Sequence, residues 1–295
     1  MIRRSVVKKN RQRPSVVVAG ALQSRRCRVC AAAFALLCLL SVSWIAPPEC
    51  HGDITGGLKD YRRGDYAGAF RKFAPLAERG NVKAQYYIGY MYLNGEGVAA
   101  DYNEAFKWLG RAAAGGNSKA LFHLGFMYYT GLGAPCDYTE AARLFSMAAE
   151  RGEAIAQFTL GQMYYEGKSG PRDYVEALAC FRKAALGGIG SALHNLGVMY
   201  EHGWGVERNQ VEAAEWFRKA ADKGVAESQL KLGLMYADGN GVERNDVLAY
   251  MWLSLAADQG EEHAIASRDL ITGKMSAEKI SRAQELTRDW KKPHK

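Results

Sequence analysis

Six small residues, Ala84, Ala120, Ala156, Ala192, Ser228 and Ala264, stand 36 positions apart through most of a 295-residue chain. A chain that repeats at roughly 20 to 50 residues folds as a stack of like supersecondary units, because one unit alone cannot bury its apolar face. Four residues after each opening residue comes an aliphatic-Gly-x-x-Tyr motif: Ile88-Gly89…Tyr92, Leu124-Gly125…Tyr128, Leu160-Gly161…Tyr164, Leu196-Gly197…Tyr200 and Leu232-Gly233…Tyr236. Whatever the period encodes is therefore encoded five times.

Local signals make each unit a pair of helices. In ALFHLGFMYYTG, Ala120, Leu124, Met127 and Tyr128 fall at i, i+4, i+7 and i+8, one face of a helix. Gly95, Gly131, Gly167, Gly203 and Gly239 follow where a left-handed C-cap belongs. A second helix then opens on Asp101, Asp137, Asp173, Asn209 or Asn245 as N-cap, and Glu104, Glu140, Glu176 and Glu212 sit three positions on, as in a capping box; the fifth unit has Leu248 there. It runs through a paired Ala-Ala (Ala112-Ala113, Ala148-Ala149, Ala184-Ala185, Ala220-Ala221, Ala256-Ala257) to glycines 116, 152, 188, 224 and 260. GEGVAADYNEA, with two glycines ahead of a helix, superficially suggests a phosphate loop. That loop requires a preceding strand and a third glycine, and a ligand loop does not recur with every unit, so the glycines are turn chemistry and no nucleotide cofactor is expected.

The order Ala, Leu-Gly-x-Met-Tyr, Gly-x-Gly-Val, Asp-Tyr-x-Glu-Ala, Trp/Phe, Ala-Ala, Gly resembles the Sel-one-like repeat, a relative of the tetratricopeptide repeat. The resemblance covers most of the chain and departs locally, at Ser169 in place of the second turn glycine and at Ala134-Pro135 after Gly133. It implies an all-α protein, a right-handed α/α solenoid of two-helix, 36-residue repeats. The expected organisation is an export signal or signal anchor in 1–50, an N-terminal capping repeat in 51–82, five repeats in 83–262 and C-terminal capping helices in 263–292. Residues 52–63 read as a short first helix ended by Gly64; Asp65-Tyr66, Ala69, Phe73, Ala77 and Gly80 match a second helix in register. At the far end Ser276 caps a helix whose Ile280, Ala283, Leu286 and Trp290 form an apolar stripe.

The formal net charge of +8 misleads, because nine of the 39 Lys and Arg lie in residues 1–50, leaving 30 bases against 30 acids in the remainder. A nucleic-acid binder would carry its basic patch in the folded domain, so none is expected. Arg25, Arg26 and Arg28 instead precede an uncharged run, Val29 to Ala46, ended by Pro47-Pro48. This reads as an export signal, with a small-x-small cleavage site after Ser43. The alternative retains residues 29–46 as a single inner-membrane anchor with the arginines inside. Export predicts a periplasmic or secreted protein. Cys27, Cys30, Cys38 and Cys50 offer no complete zinc set, while Cys136 and Cys180 occupy non-equivalent repeat positions and are expected as free buried thiols.

Catalytic patterns are weak. Some cysteine-rich relatives have been described as β-lactamase-like, which would require Ser-x-x-Lys with partner motifs. Ser228-Gln-Leu-Lys231 and Ser276-Ala-Glu-Lys279 match the first element, but Ser-Asp-Asn and Lys-Thr-Gly are absent from the sequence. His123, His194 and His202 make no i, i+4 pair and there is no His-Glu-x-x-His, so no metal is expected. The expected function is non-enzymatic: a scaffold binding a peptide or protein in a concave groove lined by first helices. The alternatives are a β-lactamase-like or cell-wall hydrolase, and a membrane-anchored assembly factor of an envelope complex. The stripe two, six and nine residues after each opening residue is the expected partner groove: Tyr86, Tyr90 and Leu93; Phe122, Phe126 and Tyr129; Phe158, Gln162 and Tyr165; then a mixed set including His194 and Glu201. It is aromatic across units one to three.

Overall fold

The computed structural model describes residues 54–292; the leader on which the export reading rests, and its four cysteines, lie outside the described residues. Fourteen α-helices and no strand form the described part. Helices α1 (Thr55–Arg62) and α2 (Tyr66–Glu78) precede five pairs: α3 (Val82–Asn94) with α4 (Tyr102–Ala114), α5 (Ser118–Thr130) with α6 (Tyr138–Glu150), α7 (Ala154–Glu166) with α8 (Tyr174–Leu186), α9 (Gly190–His202) with α10 (Gln210–Asp222), and α11 (Ala226–Asp238) with α12 (Asp246–Asp258). Helices α13 (Glu262–Thr272) and α14 (Ala277–Lys291) close the stack.

The turn inside each pair is built as its residues require. Gly131 takes φ +77°, and both its N–H and that of Leu132 donate to the Met127 carbonyl, at 2.9 and 3.0 Å, closing α5. The chain returns at Asp137, whose Oδ1 accepts from the Thr139 and Glu140 amides at 2.9 and 3.0 Å. The expected capping box is only half made. The Asp137 N–H donates to the Tyr128 carbonyl at 3.0 Å, and the same tyrosine-carbonyl bond recurs for Asp101, Asp173, Asn209 and Asn245. With that amide satisfied by the turn, Glu140 needs no backward reach and instead pairs with Arg143 at 2.6 Å, as Glu104 does with Lys107 at 2.7 Å. This also explains why Leu248 is tolerated in the fifth unit.

Packing within a pair depends on the motif glycine. A Cβ on Gly125 would lie 3.0 Å from the Phe145 ring, and one on Gly197 would lie 2.6 Å from Phe217. The facing positions Phe73, Leu109, Phe145, Phe181, Phe217 and Leu253 repeat at the same period and are all fully buried. Met91, Met127, Met163, Met199 and Met235 are buried beside them, as their recurrence implied. Between repeats, Gln85, Gln157 and Gln229 each donate from Nε2 to a carbonyl of the preceding second helix, Ala77, Ala149 and Ala221, at 3.1, 3.1 and 3.2 Å. Leu121 and Leu193 replace the glutamine in the second and fourth repeats and are buried. At the C-terminal end Ser276 Oγ accepts from the Lys279 amide at 3.3 Å, and Leu286 and Trp290 pack on the last repeat's core.

Candidate functional site

First helices stand side by side along one face, and their side chains touch across repeats: Tyr86 and Tyr90 of α3 meet His123 of α5, and His194 and Glu201 of α9 meet Ser228 and Lys231 of α11. The three rows expected as a groove fare differently. The row two residues after the opening residue faces its own second helix. Tyr86 is only 9% exposed, and the rings of Phe122, Phe158 and His194 lie 5.5, 5.8 and 5.5 Å from Phe145, Phe181 and Phe217. Repeat packing therefore takes up the rings of this row, which the sequence assigned to the partner groove, because each lies against the phenylalanine that packs on the motif glycine.

The row nine residues on is tied to the turn. Tyr129 and Tyr165 rest edge-on against Tyr138 and Tyr174 at the start of their own second helices, at 5.4 and 5.5 Å. Tyr129 also accepts from Lys168, and Tyr165 meets Trp204 at 5.6 Å. Glu201 is held by Lys231 of the next repeat at 2.9 Å. In the middle row Phe126 is the exposed member, at 39%, while Tyr90, Gln162, Val198 and Leu234 are half-buried.

Around Phe126 the structure forms a concavity of about 280 Å³, lined by Tyr90, Leu93 and Asn94 of α3, Tyr102 at the start of α4, Phe122, His123 and Phe126 of α5, and Leu132 of the turn. Of the expected groove residues it unites Tyr90, Phe122 and Phe126 with Leu93; it leaves Tyr129, Phe158, Tyr165, His194 and Glu201 elsewhere on the stack. Tyr86 instead lines a second concavity of about 420 Å³ toward the helix N-termini, with Val82, Lys83, Tyr87, Asn117, Ser118 and Lys119. His123, Tyr102 and Leu132 escaped the stripe arithmetic because that arithmetic used one helix at a time. The recurrent Asp-Tyr at the start of second helices was the signal for Tyr102.

His123 is the unusual member. Its ring lies 5.0 Å from Tyr90 and 5.3 Å from Phe122, and burial, with the Lys119 charge adding to it, pushes its pKa down to about 4. The imidazole is neutral near pH 7, offering one donor and one acceptor inside an aromatic wall. Burial also lowers the pKa of His194, whose Nδ1 is 2.8 Å from Ser228 Oγ.

That pair is not arranged for nucleophilic attack. Ser228 is fully buried at the small-residue packing position, out of reach of a substrate, and Ser276 serves as a helix cap. Among the described residues no group of three or more His, Cys, Asp or Glu is placed to hold a metal ion. Cys136 and Cys180 are free thiols; Cys136 is exposed rather than buried, and burial raises the Cys180 thiol to about 11. No described helix is long and apolar enough to cross a membrane.

A family model described as Sel1 repeat matches residues 82–117, 118–153, 154–189, 190–225 and 226–261, one window for each helix pair. The chain belongs to the Sel1 repeat family. Among solved structures it is similar to a Sel1 repeat protein from Oxalobacter formigenes, at 31% identity over 80% of this chain and 99% of that one, with a TM-score of 0.69. It is also similar to a protective antigen of uropathogenic Escherichia coli strains with an SLR fold, at 27% identity over 80% and 67% of the two chains and a TM-score of 0.38. A third similarity is to a Sel1 repeat protein from Klebsiella pneumoniae, at 25% identity over 69% and 99%, with a TM-score of 0.43. No curated protein matches the chain significantly. The Sel1 repeat fold, a solenoid of the tetratricopeptide type, supports a protein–protein interaction scaffold, and scaffolds of this family are typically non-catalytic.

Proposed function

We propose that this Sel1 repeat protein is an exported scaffold, periplasmic or secreted, that takes a peptide or protein partner on its first-helix face between α3 and α5. The observation that carries the reading is the exposed Phe126 ring at the mouth of an apolar concavity whose other walls come from two repeats and a turn. Half-buried aromatic rings around a pocket are what interface hot spots are made of, since they exclude water at small entropic cost. The export half rests on the basic residues Arg25, Arg26 and Arg28 ahead of the apolar run 29–46. The test is affinity capture from the native envelope fraction, in parallel with wild type and Phe126→Ala. A specific partner retained by wild type and lost with the variant, whose thermal stability is unchanged, supports the assignment. Equal capture by both removes it.

A further inference from the structure

The two concavities on the first-helix face differ in character, and they lie end to end. The one around Phe126 is lined by apolar and aromatic groups, Asn94 excepted. The one around Tyr86 carries Lys83 and Lys119, one from each repeat, both exposed; neither ammonium makes an ion pair among the described residues. Lys119 stands one helical turn before His123 of the apolar concavity on α5, so the two concavities adjoin along that helix. Two carboxylates act on Tyr86: Glu153, accepting from Ser118 Oγ at 3.3 Å, and Glu96, accepting from the Tyr61 hydroxyl. Both carboxylates accept from hydroxyls and neither pairs with Lys83 or Lys119, and the N-terminal dipoles of α3 and α5 add to the positive field of the two ammonium groups.

The geometry points to a peptide segment in the polyproline II conformation, with a carboxylate side chain lying between Lys83 and Lys119 and a bulky apolar side chain, about three residues away, in the concavity around Phe126. The spacing follows from the helix. Lys83 and Tyr90 are seven residues apart on α3, about 10 Å along its axis, and a polyproline II chain, rising about 3.1 Å per residue with about three residues per turn, covers that in about three residues with both side chains on one face. The inference rests on the groove reading and deepens it by naming the chemistry of the occupant. Carboxylate selection comes from the lysines, and most of the affinity from the apolar anchor, because exposed ion pairs contribute little each.

The experiment is a titration of isotope-labelled protein at low ionic strength, followed by ¹H–¹⁵N correlation spectra, with two synthetic Gly/Ser-rich peptides. One carries Glu-Ser-Ser-Phe and its reverse in tandem; the other has Gln for each Glu. The expected result is that the Glu peptide shifts the amides of Lys119, His123 and Phe126. Binding should weaken roughly fivefold or more with the Gln peptide, with Lys83→Ala/Lys119→Ala, and in high salt. Equal binding of the two peptides overturns the carboxylate assignment while leaving the apolar groove standing. Absence of binding by either peptide, or shifts confined to another face, also overturns it. So does binding of the lysine pair to anionic vesicles with no response to peptide. The groove reading itself stands or falls separately, on capture by Phe126→Ala.

Discussion

Replacing Gly205 by alanine should damage the solenoid far more than the same change at Gly224. Both glycines are left-handed, at φ +70° and +83°. An alanine in that region is strained by about 1 to 2 kcal/mol at either site. Beyond that the sites part. A Cβ on Gly224 meets nothing within 4 Å, whereas one on Gly205 lies 2.3 Å from the Tyr174 oxygen and 2.5 Å from its carbonyl carbon, at the start of α8 in the preceding repeat. That obstacle is backbone and cannot rotate away, so the interface between the third and fourth repeats must open, adding about 1 to 3 kcal/mol. Gly224→Ala should therefore cost about 1 to 2 kcal/mol and Gly205→Ala about 2 to 5, a gap of about 1 to 3 kcal/mol or, at about 2 to 4 °C per kcal/mol, about 2 to 12 °C in midpoint. Thermal unfolding followed by circular dichroism measures the gap, and hydrogen exchange should show new opening in α8 and α9 for Gly205→Ala alone. Equal destabilisation, or a larger effect at Gly224, would refute the claim that the second turn glycine is required by contact with the neighbouring repeat.

Phe122→Ala should lower stability markedly, by about 1 to 3 kcal/mol, because its ring packs on fully buried Phe145, whereas Phe126→Ala should stay within about 0.5 kcal/mol; the comparison is made by urea unfolding. His123 titrates near 4 in the folded protein against 6.5 when unfolded, so the unfolded chain binds more protons between those values. Stability must fall as pH drops from about 6.5 toward 4, by at most roughly 3 kcal/mol from this residue, and His123→Gln should flatten that limb of a stability profile. Burial shifts His194 the same way and leaves a smaller residual slope. Mass-spectrometric mapping of the mature protein should find its N-terminus near Trp44, or an intact leader in the membrane fraction; a full-length soluble cytoplasmic product would sink the export reading.

The architecture was legible because its determinants are local and repeated. Gly131, Asp137 and the buried Phe145 each act within one helix pair, and a signal printed five times is hard to misread. Failures came where a property depends on what lies across a gap. Glu140 looked like the second arm of a capping box, but the Tyr128 carbonyl had already taken the amide it would have served. Phe122 and Phe126 lie on one helical stripe in sequence, yet one ring packs on Phe145 while the other is open. Helical periodicity assigns a direction from one axis, whereas exposure is set by the neighbouring helices. The lysine pair was invisible for the same reason, since Lys83 and Lys119 share a concavity only once two repeats are stacked.

The central claim is that the partner meets the first-helix face at Phe126, and site-specific photo-crosslinking tests it most directly. A photoreactive phenylalanine analogue placed at Phe126 and, separately, at Val211, which is 57% exposed on the second helix α10, samples the two kinds of surface under identical conditions. Irradiated in the native envelope fraction, the probe at Phe126 should yield one discrete adduct, diminished by excess unlabelled protein, while the probe at Val211 yields none. A discrete adduct from Val211 with nothing from Phe126 would contradict the account and move the binding surface to the second helices.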